Sequence, residues 1–157
     1  SKQHCVGCQR KTRRIPLRQG KMLVFVDTSA WIAVCIANDI HHNPAREKLD
    51  RLVKEKDVLV TSNYVLDETY TRLRYDAGLE AAITFHNLVM ESALNGDLLL
   101  ERINEKIEEI AWNIFVSYQD QDFSYTDCTS FALCREIGIK RAFAFDKHFS
   151  VMGFILI

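Results

Sequence analysis

Short apolar segments of strand character alternate with helical segments along most of this chain, and this alternation restricts the possible folds more than any other feature. The strand-like segments are MLVFV (22–26), VLVTS (58–62), GDLLLERI (96–103), RAFAF (141–145) and GFILI (153–157). Short apolar runs of this kind are typical of strands buried on both faces. Strands separated by helices predict a parallel sheet that is covered by helices. The sequence therefore predicts one α/β domain over residues 22–157.

The intervening segments carry the spacing and the end signals of helices. The first follows the first strand, and Thr28 or Ser29 is expected to cap it. Pro44 suits the first turn of the second helix, and Gly138 is placed to end the last one. The predicted helices are SAWIAVCIA (29–37), PAREKLDRLVKEK (44–56), NYVLDETYTRLRY (63–75), LEAAITFHNLVMESAL (79–94), INEKIEEIAWNIFVSY (103–118) and SYTDCTSFALCREIG (124–138).

The composition is that of a globular domain with an apolar core. Of the 157 residues 48% are apolar, and two prolines with six glycines leave little room for long linkers. The most apolar stretch, residues 22–37, is too short to span a membrane and contains Asp27. The basic start is not followed by an unbroken apolar run, so we expect neither a signal peptide nor membrane insertion.

The first 21 residues differ from the rest of the chain in charge. They hold seven basic residues and no acidic ones, which leaves 13 basic and 21 acidic residues in 22–157. Such an arm can bind nucleic acid. Its lack of apolar periodicity favours a disordered extension or a product of start-site choice, with Met22 as a candidate start. The basic residues are Lys2, Arg10, Lys11, Arg13, Arg14, Arg18 and Lys21.

The five cysteines divide into two groups. Cys35, Cys128 and Cys134 lie in apolar or helical segments, which favours a reducing, cytoplasmic compartment. Cys5 and Cys8 have the spacing of half a zinc site, but no second pair of Cys or His ligands follows at a suitable distance. The pair is therefore only a weak metal signal.

Four acidic residues are expected to meet at one edge of the sheet. Asp27 closes the first strand-like segment and Asp146 closes RAFAF, and ligands of open parallel sheets bind at the carboxyl ends of strands where the strand order switches. Asp127 is in the first turn of the helix that leads to RAFAF. Glu68 is early in the helix after VLVTS, where adjacent Asp67 competes with it, because the helix periodicity does not choose between them.

Each of these acids also has a purely structural interpretation. Ser124 and Asp127 have the spacing of a capping box, Asp146 suits a turn cap, and Glu68 suits a solvated helix position. Four carboxylates at one edge would nevertheless repel one another unless a cation balanced them. Oxygen ligands without a nearby His or Cys cluster favour Mg²⁺ or Mn²⁺. These ions commonly support phosphodiester hydrolysis.

Three segments together, VDTSA (26–30), NYVLDETYTRL (63–73) and SYTDCTSFALCREIGIKRAFAFDKHF (124–149), resemble the PIN (PilT N-terminus) domain family. Within that family the chain is most similar to the VapC-type ribonuclease toxins. The resemblance covers residues 22–157 and rests on the order and spacing of the segments, because short motifs such as DTS are common. It implies a parallel sheet of four or five strands and a quartet of acids that holds Mg²⁺ or Mn²⁺.

The resemblance implies a metal-dependent endoribonuclease whose catalytic residues and metal ligands are Asp27, Glu68, Asp127 and Asp146, and it favours Glu68 over Asp67. Hydrolysis would leave a 5′-phosphate and a 3′-hydroxyl without a covalent enzyme intermediate. The residues expected to support this site are Thr28, Ser29 and Thr126 around the metal, with Arg72, Arg74 and Lys147 as contacts to RNA phosphates.

The toxin interpretation also predicts partners. We expect an RNA substrate, a homodimer, and a small antitoxin whose amphipathic segment binds an apolar groove between the helices NYVLDETY and LEAAITFHNLV. His148 is expected near the site, as a packing or solvent-facing residue, and His41 and His42 are assigned no role.

Other functions are open to this sequence. A PIN nuclease of RNA processing and a PIN-like module that binds RNA or protein without cleaving are both compatible with it. A haloacid-dehalogenase-type phosphatase is disfavoured because Ser29 stands where that family needs a second aspartate. A nucleotide switch is disfavoured because no G-x-x-x-x-G-K-[ST] loop is present.

Overall fold

The computed structural model describes residues 15, 17 and 19–157, and in this range five parallel strands form one sheet in the order β3-β2-β1-β4-β5. The predicted single α/β domain with a parallel, helix-flanked sheet is confirmed. The strands are β1 (Leu23–Val26), β2 (Val58–Ser62), β3 (Leu98–Glu101), β4 (Arg141–Phe143) and β5 (Ile155–Leu156).

The helices pack against one another as well as along the sheet. α1 contacts α2 and α3, α3 contacts α4 and α6, and α5 contacts α6. In the described part of the chain they are α1 (Thr28–Cys35), α2 (His42–Glu55), α3 (Asn63–Ala77), α4 (Leu79–Leu94), α5 (Glu105–Ser117), α6 (Tyr125–Ile137) and α7 (His148–Val151).

The central strand β1 is the most deeply buried part of the sheet. Val24, Phe25 and Val26 are fully buried, and Phe25 lies in register with Val60 of β2 and Ala142 of β4, which are fully buried too. A strand covered on both faces needs apolar residues at successive positions rather than at alternate ones. This requirement explains why MLVFV is a continuous apolar run.

Phenylalanine rings connect the strands to the helices that follow. The Phe149 ring of α7 lies 5.8 Å from that of Phe25 and 5.0 Å from that of Phe131 on α6, measured between ring centroids. All three residues are fully buried. This packing fixes α6 and the loop before α7 against β1, and both of these segments carry acidic residues of the candidate site.

Several predicted boundaries were wrong. Asp27, not Thr28 or Ser29, caps α1, because its side chain accepts the Ser29 backbone N–H. Strand β4 ends at Phe143 rather than at residue 145, so that Asp146 lies three residues beyond the strand instead of closing it. α2 begins at His42, ahead of Pro44. The single turn of α7 was not predicted, because four residues are too few to show helical periodicity.

No helix in the described part of the chain is long and apolar enough to cross a membrane. The cysteines at positions 35, 128 and 134 are free thiols. The predicted basic arm, including Cys5 and Cys8, lies outside the described residues except for residues 15, 17 and 19–21.

Candidate active site

The strand order reverses between β1 and β4, and the candidate site lies at the carboxyl ends of these two strands. From β1 the chain continues to β2 and β3 on one side, and β4 and β5 then occupy the other side. Asp27 directly follows β1, and its backbone N–H donates to the carbonyl oxygen of Phe143 at the end of β4, 3.0 Å away. Such switch points are where open parallel sheets bind their ligands.

Asp27 is buried and held by Ser29. Its Oδ2 accepts hydrogen bonds from the Ser29 backbone N–H at 3.2 Å and from the Ser29 hydroxyl at 2.8 Å. The same hydroxyl oxygen accepts the backbone N–H of Phe145 at 3.0 Å. Ser29 therefore joins Asp27 to the residue that precedes Asp146.

Asp127 is a helix cap and also a member of the acidic cluster. The Ser124 hydroxyl accepts the Asp127 backbone N–H, and Asp127 Oδ2 accepts the Ser124 backbone N–H, each at 3.0 Å. The predicted capping box is therefore present. The same Oδ2 lies 3.0 Å from Nδ1 of His148.

Asp146 is likewise both a cap and a member of the acidic cluster. Its Oδ1 accepts the backbone N–H of His148 at 3.0 Å, so it caps the turn before α7 as expected. Nδ1 of His148 is 3.9 Å from this oxygen. Ligand atoms of Asp127, Asp146 and His148 lie within 4.8 Å of one another and could hold a metal ion.

Each of the three aspartates uses one carboxylate oxygen for internal hydrogen bonds and leaves the other open. Within the described residues, Oδ1 of Asp27, Oδ1 of Asp127 and Oδ2 of Asp146 have no hydrogen-bond donor. The buried hydroxyl of Thr28, next to Asp27, also has no partner there. Open carboxylate oxygens and a free hydroxyl fit a hard divalent cation with its bound water.

Burial and mutual repulsion raise the pKa values of two of these carboxyl groups. Burial, followed by the charges of Asp146 and Asp127, raises the pKa of Asp27 to about 7, although the Ser29 hydrogen bonds oppose the shift. Burial also raises the pKa of Asp127, against the effect of the Ser124 and His148 hydrogen bonds. A divalent cation would reverse this effect by favouring the ionised forms.

Glu68 lies on α3, which packs against α1, the helix that Asp27 caps, and against α6, the helix that contains Asp127. Its side chain is half-buried, whereas that of Asp67 is exposed. Among the described residues, the group within 4.8 Å consists of Asp127, Asp146 and His148, and it includes neither Glu68 nor Asp27, although the charges of Asp146 and Asp127 help to raise the pKa of Asp27. The parts of Glu68 and Asp27 in metal binding therefore stay predictions.

For the other predicted site residues the described part of the chain shows exposure or local hydrogen bonds, but no hydrogen bond to the three aspartates. Thr126 is half-buried, and its carbonyl oxygen accepts the hydroxyl groups of Thr129 and Ser130. Arg72 is exposed one turn after Glu68, which places both on one face of α3, while exposed Arg74 faces another direction. Lys147 is exposed beside Asp146.

His148 was expected near the site, but its contacts with the aspartates were not predicted. It does pack, since its ring lies 5.3 Å from that of Phe123, but it also contacts both Asp127 and Asp146. The available signal was its spacing, because a residue two positions after an aspartate often donates its backbone N–H to that carboxylate. The contact with Asp127 joins residues 21 positions apart and has no local signature.

The PIN domain model matches residues 24–155 of the chain. The 23S rRNA-specific endonuclease VapC20 of Mycobacterium tuberculosis is 37% identical over 134 residues, which cover 85% of this chain and 96% of the relative. A VapC ribonuclease of Archaeoglobus fulgidus is 27% identical over 132 residues, covering 83% and 81% of the two chains. The chain belongs to the PIN domain family.

Solved structures agree with this assignment. The crystal structure of VapC20, a toxin that cleaves the sarcin-ricin loop, superposes with a TM-score of 0.74 at 38% identity, covering 84% of this chain and 96% of that one. VapBC2 of Rickettsia felis, bound to a DNA fragment of its promoter, gives a TM-score of 0.64 at 11% identity over 87% and 98% of the chains. The second likeness shows the fold alone.

The raised pKa of Asp27 predicts how the metal-free protein responds to pH. The folded-state pKa of about 7 exceeds the unfolded value of 3.8, so the folded form holds its proton more tightly and loses stability as pH rises between these values. The Asp27→Asn substitution removes the ionised form. In EDTA at pH 8 we expect it to be more stable than the wild type by at least about 1 kcal/mol, roughly 2–4 °C in Tm for a domain of this size.

Thermal unfolding in EDTA from pH 5 to pH 8 checks this prediction. The exposed Asp67→Asn variant is the control and should follow the wild-type profile. Parallel profiles for the Asp27→Asn variant and the wild type would show that the charge of Asp27 does not destabilise the fold.

Proposed function

We propose that this chain is a metal-dependent endoribonuclease that hydrolyses RNA phosphodiester bonds, and that it is the toxin of a toxin–antitoxin pair. The observation that carries the proposal is the grouping of Asp127 and Asp146 within 4.8 Å at the switch point, with Asp27 near enough for their charges to raise its pKa, and with one carboxylate oxygen open on each aspartate. The 37% identity with an rRNA endonuclease over 85% of the chain supports the choice of RNA as substrate.

The four acids Asp27, Glu68, Asp127 and Asp146 hold Mg²⁺ or Mn²⁺ in this proposal. When bound, such an ion activates a water molecule and stabilises the leaving oxygen. Hydrolysis adds the water oxygen to phosphorus and breaks the P–O3′ bond, which leaves a 5′-phosphate and a 3′-hydroxyl without a covalent bond to the protein.

The remaining residues orient these groups. Ser29 fixes which oxygen of Asp27 is open, because its hydroxyl and backbone N–H both bind Oδ2. The unpartnered Thr28 hydroxyl is available to a bound water, and we assign Thr126 to the same surroundings. Arg72, Arg74 and Lys147, all exposed, are the proposed contacts to RNA phosphates, which would position the strand without reading its sequence.

Two features indicate the compartment of the proposed enzyme and the substrate to test. The free thiols at positions 35, 128 and 134 fit the reducing cytoplasm. Because the 37% identical relative is a 23S rRNA-specific endonuclease, 23S rRNA is the first substrate to assay.

RNA cleavage tests the proposed activity. We expect 23S rRNA to be cut with Mg²⁺ or Mn²⁺ and to stay intact in EDTA. Asp127→Asn should lower kcat by at least about 100-fold, because the amide keeps the cap but loses the charge that binds the metal. Glu68→Gln should also lower kcat, whereas Asp67→Asn, the same change one residue away, should stay within about twofold of wild type.

Circular dichroism and thermal unfolding confirm that each variant is folded. Full activity of a folded Asp127→Asn variant would reduce Asp127 to a helix cap. Equal losses in Glu68→Gln and Asp67→Asn would remove Glu68 from the site. Absence of cleavage by the wild type on rRNA and on other RNAs would favour the binding module.

The antitoxin site is proposed on α4, but on a different face from the one expected. α3 and α4 pack against each other, and the apolar cavity of about 250 Å³ lies between α4, α1 and α2. The exposed side chains of Val53 and Leu88 line this cavity together with the buried side chains of Trp31, Phe85 and Val89. An apolar face of an amphipathic segment would bury these side chains.

Leu88→Glu tests this placement, because a charge at the cavity opposes burial of an apolar segment. We expect it to weaken binding of the small protein encoded beside this chain by at least about tenfold in calorimetry. Ile83→Glu, an exposed position on another face of α4, should bind normally. RNA cleavage should be unchanged in both, and equal binding by both variants would contradict this placement of the antitoxin.

A homodimer is the proposed assembly, and α5 offers the surface for it. Trp112, Phe115 and Val116 are exposed there, and the rings of Trp112 and Phe115 lie 5.8 Å apart. Light scattering should give twice the chain mass for the wild type and the monomer mass for Trp112→Glu. A monomeric wild type at micromolar concentration would contradict the dimer.

A further inference from the structure

His148 contacts Asp127 and Asp146, although it is not among the four residues proposed above as metal ligands. We propose that His148 is a positioning residue, which holds Asp127 and Asp146 in the arrangement that binds the divalent cation. The inference rests on the proposed function, since it concerns the same metal site.

The two hydrogen bonds of His148 involve different donors and different segments of the chain. Its backbone N–H donates to Oδ1 of Asp146, and its ring Nδ1 lies 3.0 Å from Oδ2 of Asp127. Nδ1 is the donor in this pair, because an ionised carboxylate can only accept. A single residue therefore determines the spacing between an acid of α6 and an acid of the loop after β4.

His148 contacts one oxygen of each carboxylate and leaves the other oxygen without a donor among the described residues. Asp127 Oδ2 already accepts the Ser124 backbone N–H, so His148 adds a second donor to the same atom and leaves Oδ1 open. Asp146 Oδ1 receives the backbone N–H and leaves Oδ2 open. His148 thus helps to decide which oxygen of each carboxylate is presented to a cation.

Packing fixes the imidazole in this orientation. The ring meets that of Phe123 edge-on, at 5.3 Å and 76°, and Phe123 is itself buried against Phe131. The next residue, Phe149, is fully buried. With the ring packed against Phe123 and the backbone anchored by the buried Phe149, the imidazole loses little conformational freedom when the metal binds, so its hydrogen bond contributes to preorganisation of the site.

Donors placed against ligating carboxylates strengthen metal binding in general. Such hydrogen bonds orient the ligand and offset the repulsion between neighbouring carboxylates before the metal arrives, and removing them typically costs about 10–100-fold in metal affinity or activity. His148 acts through a donor N–H at Nδ1 in this proposal, and that atom is not a metal ligand.

Substitutions at His148 distinguish the effect of the Nδ1 donor from the effect of ring packing. In His148→Asn the amide nitrogen takes the place of Nδ1 and keeps the donor, whereas His148→Leu fills similar space without one. The matched control is His86→Leu on α4, where Nδ1 of the wild-type histidine lies 2.8 Å from the Tyr70 hydroxyl. The measurement is Mn²⁺ binding to the full chain by calorimetry, without RNA.

We expect the Mn²⁺ dissociation constant to rise by at least about tenfold in His148→Leu, and to stay within about threefold of wild type in His148→Asn and His86→Leu. If the leucine variant does not fold, His148→Gln takes its place, because its longer side chain moves the amide away from the position of Nδ1. The same weakening is expected of it.

Two results overturn the proposal while leaving the proposed function intact. Unchanged Mn²⁺ affinity in His148→Leu would show that the ring only packs against Phe123. Equal weakening in His148→Asn and His148→Leu would show that the donor is not what matters. Absence of Mn²⁺ binding by the wild-type chain would overturn the proposed function itself, and this inference with it.

Discussion

The parallel pairing of β1 with β4 is the contact on which the candidate site depends. The hydrogen bond from the Asp27 backbone N–H to the Phe143 carbonyl oxygen joins residues 116 positions apart, yet the two strands lie side by side at the switch in strand order. The pairing brings Asp27 and the loop that carries Asp146 to one edge of the sheet. Ser29 then ties the two segments together with its hydroxyl, and the fully buried apolar residues of both strands hold the pair in place.

The three aspartates show that a structural role is compatible with the metal-binding role that we propose for them. Asp27 caps α1, Asp127 completes the capping box of α6, and Asp146 caps the turn before α7. Each cap uses one oxygen of a carboxylate that has two. The backbone N–H groups of helix and turn starts thereby fix the orientation of the carboxylates, and the second oxygens are free to face a common ligand.

This arrangement has an electrostatic cost in the metal-free protein. Burial and like charge raise the pKa values of Asp27 and Asp127, which means that the ionised forms are disfavoured in the fold. The donors from Ser29, Ser124 and His148 reduce this cost but do not remove it. A divalent cation would reduce this repulsion, so the geometry that raises these pKa values is also one that could hold such an ion.

The sequence by itself determined the class of fold and most of the candidate acids. Continuous apolar runs such as MLVFV and helix signals such as Gly138 are local, because burial on both strand faces and the left-handed turn at a helix end restrict the residue types at those positions. Ser124 and Asp127 could likewise be read as a capping box, since that pattern spans four residues. Only the tertiary structure decided that Asp127 meets His148, that the cavity lies on the α1 and α2 side of α4, and that β4 stops before Asp146. These outcomes depend on which distant segments pack together, and no spacing within one segment records such a contact.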